Sequence, residues 1–290
     1  MAKPLVIAIT LTRTEGAADR ISAAPSVRVI VLILRRWPSS FGRFAAADRK
    51  QMEALIASIA FVAITFVIFS AAKIADKRIL IAFALLAAVY IGLDDFVTGL
   101  PTVVKGLAVI PGHWNWTGKM LSLVLSALVI TALKLSPKTI GLTLKQEYPW
   151  LGFIAVLLFI VWGASLGLLF KPGVSDTETL AFQASMPSLA EEIVYRGIAP
   201  ALLLGLINRK EPIAGVPWAV VMSTAAVFGI WHGLKYSGGT FGFDALSALF
   251  PFIGSIAGGW LRFKTKSLLV PVLGHSVANV AFHVAGGLGG

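Results

Sequence analysis

The chain has 290 residues, of which 57% are hydrophobic and only 13% are charged, and its mean hydropathy is +0.84. Soluble domains are nearer ~45–50% apolar and ~25% charged, so this composition excludes an ordinary soluble domain and indicates a multi-pass membrane protein. The net charge of +11 does not indicate nucleic-acid binding, because the Lys and Arg residues of membrane proteins collect in loops that face anionic headgroups. Cysteine is absent, which excludes disulfides and thiolate chemistry.

Residues 1–51 form a basic segment with nine Lys and Arg residues. Its apolar run "VIVLIL" (Val29 to Leu34) is too short to cross a bilayer. The segment also lacks the long apolar region and the cleavage site of a good signal peptide. We therefore treat residues 1–51 as a basic N-terminal extension, separate from a membrane helical domain at residues 52–290.

Eight apolar runs follow in that domain, and each predicts a membrane helix, since about 20 residues cross a hydrocarbon core of ~30 Å. No internal repeat is evident, so the predicted fold class is all-α: one polytopic transmembrane helical bundle of about eight spans. The runs are Met52–Ala72, Ile79–Leu93, Lys119–Leu133, Trp150–Phe170, Ala184–Leu206, Val216–Gly233, Phe243–Leu261 and Ser267–Ala285.

The segment Asp94–Trp116 separates the second and third runs and is broken by Gly and Pro, so it could be re-entrant. Asp94 and Asp95 end a run and are expected to be solvated. His113 lies beside tryptophans that suit the membrane interface, and we expect it to be an interfacial residue and not a ligand.

Basic residues give an orientation. The loops after the odd-numbered runs hold eleven Lys and Arg residues, and those after the even-numbered runs hold four, with Lys119 among them. The positive-inside rule places the first set in the cytoplasm. Eight spans would then put residues 1–51 outside, against the same rule. Either their apolar run lies in the interface, or a span is miscounted, or the native protein begins at Met52.

The fifth run contains "LAEEIVYRG" (Leu189 to Gly197), with three ionisable groups in an apolar context. A charge near the bilayer centre costs at least ~2.5–3.5 kcal/mol, so such residues are functional candidates. Glu192 and Arg196 are four apart and can form an ion pair. Glu191 points about 100° away with no basic residue one turn on, which favours a general base or a metal ligand. The alternative is that all three groups form a packing network between helices.

Two later runs carry further candidates. "VFGIWHG" contains His232, and "LGHSVANVAFH" places His275 and Asn279 one helical turn apart. Two neutral imidazoles and one carboxylate, with water in the fourth position, are a known hydrolytic arrangement on Zn²⁺. Asn279 can donate a hydrogen bond to a developing oxyanion. His283 drifts about 80° from the His275 face, so we expect it outside the ligand set.

Two glycine-rich stretches predict simpler roles. Gly254 and Gly258 in "GSIAGG" are four apart, a spacing of small residues that favours close helix packing over any role in the site. "KYSGG" (Lys235 to Gly239) is interpreted as a flexible loop that could gate the site.

The ordered stretches "EEIVYRG", "FGIWH" and "HSVAN" resemble the EExxxR, FxxxH and HxxxN motifs of the CPBP family of membrane proteases. This family comprises the type II CAAX prenyl endopeptidases and the bacteriocin-processing, Abi-like proteases. The resemblance covers about Leu180 to the C-terminus, a little over a third of the chain, and predicts a catalytic core at about residues 180–286. "NWTGKMLSLVLSAL" followed by "TIGLTL" is similar to what precedes the core in bacterial members.

The resemblance implies an intramembrane endopeptidase in which Glu191 activates water and His232 and His275 position that water or a metal ion. Asn279 would be the polar partner at the oxyanion. The residues given supporting roles are Glu192, Arg196 and Phe228. The cofactor would be Zn²⁺ on Glu191, His232 and His275, or none in a metal-free glutamate mechanism.

The implied partners are membrane lipids and a membrane-associated peptide or protein, such as a prenylated CAAX-like peptide or a leader peptide, and no nucleic acid. The implied location is integral and multi-pass, in a bacterial plasma membrane. Two other functions stay open: a proton- or ion-coupled transporter, although such proteins usually show repeats, and a non-catalytic immunity or scaffold protein, which would have no need of an unpaired Glu191.

Overall fold

The computed structural model describes residues 49–71, 77–204 and 215–288. Most of the basic N-terminal extension lies outside these residues, and so does the Arg209–Lys210 loop used for the orientation. The separate status of residues 1–51 therefore stays a prediction.

The described part of the chain is a helical bundle with one small hairpin, which confirms the all-α prediction. In chain order its elements are α1 (Arg49–Ala71), α2 (Lys77–Val103), a 3-10 turn (Lys105–Leu107), α3 (Trp116–Ala132), α4 (Pro137–Ile140), α5 (Pro149–Phe170), α6 (Thr177–Glu192), a π-helical segment (Ile193–Ile198), α7 (Ala199–Leu204), α8 (Trp218–Gly233), β1 (Leu234–Ser237), β2 (Thr240–Phe243), α9 (Ala245–Thr265) and α10 (Leu269–Leu288).

Each of the eight apolar runs has a helical counterpart among the described residues. By length and composition five helices can cross a membrane (α1, α2, α5, α9 and α10), whereas α3 and α8 are apolar but shorter. The outward face of α5 exposes large apolar side chains, including Phe153 and Val161 at 67% and 61%. Such exposure suits contact with lipid and would be a liability in water. The second run continues to Val103 instead of ending near Leu93.

Side-chain caps fix where three helices begin. Asn115 accepts a hydrogen bond from the Gly118 N–H at the start of α3, and Asp176 accepts one from Thr179 at the start of α6. Asp244 caps α9 by accepting from the N–H groups of Leu246 and Ser247. Hydrogen bonds from the side chain and backbone of Ser247 lower the pKa of the exposed Asp244 carboxyl to about 2.

The fifth predicted run is continuous helix from Thr177 to Leu204, but its middle is π-helical. At its end the N–H of Ala199 donates to the carbonyl of Val194, five residues back. The π-helical segment begins directly after Glu192, the second residue of the glutamate pair. Single π-helical turns inside α-helices are frequent at functional sites.

Close packing of α10 on α5 places the last motif in the bundle. A Cβ at Gly163 of α5 would clash with the backbone of Ala278 on α10, so only glycine permits this approach. The main apolar core lies on the other side of the π-helical segment, where Val194, Ile198 and Leu203 pack against α2 and α8. The bundle thus holds α6, α8 and α10 together at the level of the three motifs.

The stretch interpreted as a flexible loop is an ordered antiparallel hairpin, so that interpretation was wrong. Ser237 pairs with Thr240, and the turn between them is Gly238–Gly239, with φ of +61° and +84°. Two residues with positive φ form the tight turn that matches the twist of a hairpin, which explains the two glycines. Lys235 forms an exposed ion pair with Asp244 at 3.2 Å across the base of the hairpin.

Candidate active site

The glutamate pair at the end of α6 is buried. The exposed fractions are 7% for Glu191, 2% for Glu192 and 4% for Arg196. Buried charges of this kind are tolerated only when paired and hydrogen-bonded, so the partners of each carboxylate indicate its role.

Glu192 contacts two partners through a single oxygen. Its Oε1 lies 3.1 Å from Arg196 Nη1, the ion pair expected from the spacing, and 2.9 Å from His275 Nδ1. The Arg196 guanidinium also stacks on the ring of Phe228 at 4.4 Å. Within the described residues, Glu192 Oε2 and Arg196 Nε are buried without a hydrogen-bond partner. Glu192 therefore connects the first motif to the third.

Glu191 is paired, which corrects the expectation of an uncompensated carboxylate. Lys119 Nζ donates to Glu191 Oε1 at 2.7 Å, and Lys119 itself is only 9% exposed. The partner of Glu191 does not lie one turn along the same helix. It comes from α3, 72 residues away in sequence. Lys119 is accordingly not a loop charge, and counting it in the orientation was also wrong.

His275 lies between the two glutamates. Its Nδ1 lies 2.9 Å from Glu192 Oε1, and its Nε2 lies 4.0 Å from Glu191 Oε2. Because a carboxylate only accepts, Nδ1 must carry a hydrogen, and in the neutral ring Nε2 then presents a lone pair toward Glu191. A histidine oriented in this way by a carboxylate has a fixed tautomer and a fixed ring orientation.

His232 is oriented by its own helix. Its Nδ1 lies 2.9 Å from the carbonyl oxygen of Phe228, so Nδ1 donates and Nε2 is free in the neutral ring. The rings of Phe228 and Trp231 contact the imidazole at centroid distances of 4.5 and 4.7 Å. Phe228 also lies 6.5 Å from the ring of His275. Phe228 thus separates and supports the two histidines.

A cavity of about 700 Å³ opens beside these groups, between α5, α8, α9 and α10. Its polar lining includes Glu192, Arg196, His232, His275 and Asn279. Its apolar walls include Phe159, Trp162, Leu166, Phe170, Phe250 and Phe282. Glu191 does not line the cavity, but its Oε2 lies 4.0 Å from Nε2 of His275, which does.

Asn279 and His283, two further polar residues of α10, are engaged elsewhere. Asn279 Nδ2 donates to Gln183 Oε1 at 3.0 Å, and Asn279 also borders the cavity. His283 Nδ1 lies 2.9 Å from Ser175 Oγ, and its ring contacts Trp114 at 6.4 Å. His283 therefore belongs to a cluster at the start of α6, away from the glutamate pair.

His113, expected at the membrane interface, belongs to that same cluster. Its side chain is 51% exposed, and its Nδ1 lies 2.9 Å from Glu178 Oε2 near the start of α6. Trp116 Nε1 donates to Glu178 Oε1 at 3.1 Å. The segment that precedes α3 is thereby attached to α6.

Two expectations about smaller features need correction. Gly254 and Gly258 both line the cavity; Gly258 also packs against Arg196 and Glu192, as expected of close helix packing, whereas a Cβ at Gly254 would meet nothing within 4 Å. Asp94 and Asp95 lie inside α2 and are not simply solvated. Asp94 accepts a hydrogen bond from Ser122 at 2.6 Å, and Asp95 accepts one from Trp231 at 2.7 Å.

Zinc on Glu191, His232 and His275 stays a prediction. Among the described residues, no group of three or more His, Cys, Asp and Glu side chains is arranged to hold a metal ion. Glu191 Oε2 and His275 Nε2 lie 4.0 Å apart. We therefore derive no chemical step through a metal.

Comparison with known proteins agrees with this arrangement. A family model described as type II CAAX prenyl endopeptidase Rce1-like matches residues 173–281, which include all three motifs. The match confirms the resemblance to the CPBP family and, at family level, a CAAX-type intramembrane protease. No curated protein and no solved structure gives a significant match. Lys119 lies outside the matched residues.

Proposed function

We propose, from its match to the Rce1-like family model over residues 173–281, that this protein hydrolyses a peptide bond in a membrane-associated substrate. The observation that carries the proposal is the approach of Glu191 Oε2 to His275 Nε2 at 4.0 Å, at the edge of a cavity between membrane helices. Both atoms are hydrogen-bond acceptors when the ring is neutral.

Two acceptors at this separation suit one water molecule that donates a hydrogen to each, since O–H donors lie ~2.7–3.0 Å from their acceptors. Glu191 then acts as the general base. As the water oxygen bonds to the scissile carbonyl carbon, Glu191 takes the proton and the carbonyl electron pair moves onto oxygen. His232, whose Nε2 is free, is the second imidazole available to position the water.

The tetrahedral intermediate needs a hydrogen-bond donor for its oxyanion and an acid for its leaving amine. Asn279, which lines the cavity, is the proposed donor to the oxyanion. Collapse of the intermediate breaks the C–N bond, and the proton held by Glu191 passes to the leaving amine. Glu192 and Arg196 take no part in these transfers. They hold the His275 ring in place.

The cavity indicates the class of substrate. Its walls are largely aromatic, and His232 and His275 are among its polar lining residues. A peptide that carries a long apolar group matches this lining, with the apolar group in the cavity and the peptide bond beside the histidines. We propose a prenylated CAAX-like peptide, as the family description suggests, and a hydrophobic leader peptide as the second substrate to test.

The test is a cleavage assay with the purified full chain in detergent and in lipid nanodiscs. Farnesylated CAAX-type peptides, the same peptides without the lipid, and a hydrophobic leader peptide are compared, and products are identified by mass spectrometry. We expect cleavage of a lipidated or hydrophobic substrate, its loss in Glu191→Gln, and no loss in Glu147→Gln, an exposed matched control. A parallel series with chelator tests metal dependence. Equal activity of Glu191→Gln and wild type would contradict the proposal.

A further inference from the structure

We propose that Lys119 is a positioning residue for Glu191: it holds one carboxylate oxygen so that the other stays turned toward His275. This inference rests on the proposed function, but it concerns a residue that lies outside the three motifs and outside the matched family region.

The contact divides the two carboxylate oxygens between two partners. Oε1 accepts from Lys119 Nζ at 2.7 Å, and Oε2 lies 4.0 Å from His275 Nε2. A carboxylate rotates easily about its terminal bond, so an ammonium fixed on one oxygen also fixes the direction of the other. Lys119 thereby determines which lone pairs of Glu191 meet the water.

The placement of Lys119 is costly unless it has such a role. It lies in the first turn of α3, where the positive end of the helix dipole disfavours a cation, and it is 9% exposed. Lysine is almost never buried unless it is paired. Two features hold it there: Asn115 fixes the start of α3 by donating to Thr98 O at 2.7 Å, and the ring of Trp231 lies 5.4 Å from Nζ.

The surrounding charges explain why a second cation is needed. Glu191 and Glu192 are adjacent and both buried, and Arg196 is paired with Glu192. Without Lys119, the titratable groups that face Glu191 would include Asp94 from α2 and the imidazoles of His275 and His232. Asp94 also faces Lys119, and its Oδ1 accepts from Ser122. Lys119 is thus the cation between the carboxylates of α2 and the carboxylate that is to act as base.

The experiment measures kcat and KM separately for Lys119→Arg and Lys119→Met, with Lys138→Arg and Lys138→Met as exposed matched controls. Lys119→Arg keeps the charge but replaces a single ammonium by a planar fork, which cannot hold the carboxylate in the same way. We expect Lys119→Arg to fold, with KM within about twofold of wild type and kcat reduced several-fold. Lys119→Met should lower kcat further, by roughly tenfold or more.

The outcomes separate this proposal from the proposed function. A wild-type protein that cleaves none of the substrates would end the proposed function itself. An active wild type with full kcat in folded Lys119→Arg would overturn the positioning role alone, because charge would then suffice. Failure of Lys119→Arg to accumulate beside a normal Lys138→Arg would also count against it, since it would make Lys119 a folding requirement. A rise in KM with unchanged kcat would assign Lys119 to substrate binding instead.

Discussion

His275 Nδ1 lies 2.9 Å from Glu192 Oε1, so the first and last motifs are joined by a direct hydrogen bond across 83 residues of sequence. The same glutamate oxygen meets Arg196 Nη1 at 3.1 Å. Glu192 therefore holds the imidazole while Arg196 compensates its charge. The other ring nitrogen of His275, Nε2, faces Glu191, and the His275 side chain also lines the cavity.

Removal of Arg196 or of the Glu192 carboxylate should destabilise the fold. Either change leaves the partner as an uncompensated buried charge, which typically costs ~3–5 kcal/mol. Arg196→Ala and Glu192→Ala are expected to lower the midpoint of thermal unfolding in detergent and the yield of folded protein. The double variant Glu192→Gln/Arg196→Met should recover part of the loss. Wild-type stability of Arg196→Ala would show that the pair is not an essential support.

The Lys119–Glu191 pair reverses one expectation drawn from sequence. An unpaired Glu191 predicted that Glu191→Gln would be as stable as wild type or more so, whereas the observed pair predicts a loss, because Lys119 is left buried without its anion. Thermal unfolding of Glu191→Gln and Glu191→Gln/Lys119→Met checks this. The double variant should regain stability without activity, and an unstable double variant would contradict the account.

Gly254 should control how large an apolar group the cavity accepts. A side chain at Gly254 meets open space, so Gly254→Leu should fold normally and fill the cavity, raising KM for a farnesylated peptide more than for a shorter one. Gly163→Leu is the control with the opposite expectation: it collides with Ala278 and should unfold. Unchanged kinetics in folded Gly254→Leu would mean that substrate does not enter this cavity.

The hairpin and the end of α9 should lie on opposite faces of the membrane. α9 spans Ala245–Thr265, and 21 residues at about 1.5 Å each are about 30 Å long. In this cysteine-free chain, Lys266→Cys should react with an impermeant maleimide only from the cytoplasmic side, and Thr240→Cys only from the other. Labelling of both from one side would overturn the predicted orientation.

The parts of the fold that depend on local composition were predictable. Apolar run length predicts a helix, so each of the eight runs has one, although only five of the described helices are long and apolar enough to cross a membrane. The hairpin was missed although "YSGGTF" carries its signal: two glycines between residues that favour strands. The π-helical segment after Glu192 has no comparable local signal, because tertiary packing stabilises it.

The contacts of the candidate site residues were predictable only in part. The spacing of Glu192 and Arg196 predicted their ion pair, since both lie on one helix. The partner of Glu191 could not be found in that way, because Lys119 reaches it from another helix. One signal was present in the sequence. Lys119 lies within an apolar run, four residues after the cap of α3, and a lysine placed inside a membrane helix needs a buried anion as its partner.

One assay of both glutamates tests most directly whether Glu191 is the general base and Glu192 only positions His275. Wild type, Glu191→Gln and Glu192→Gln are purified, the folded fraction of each is quantified, and cleavage of the preferred peptide is measured per folded molecule. If Glu191 is the general base, Glu191→Gln should not cleave the peptide. Glu192→Gln should keep residual cleavage, because its amide oxygen can still accept a hydrogen bond from His275. Activity in Glu191→Gln with a folded, inactive Glu192→Gln would reverse the assignment, and normal cleavage by both would contradict a glutamate-based protease.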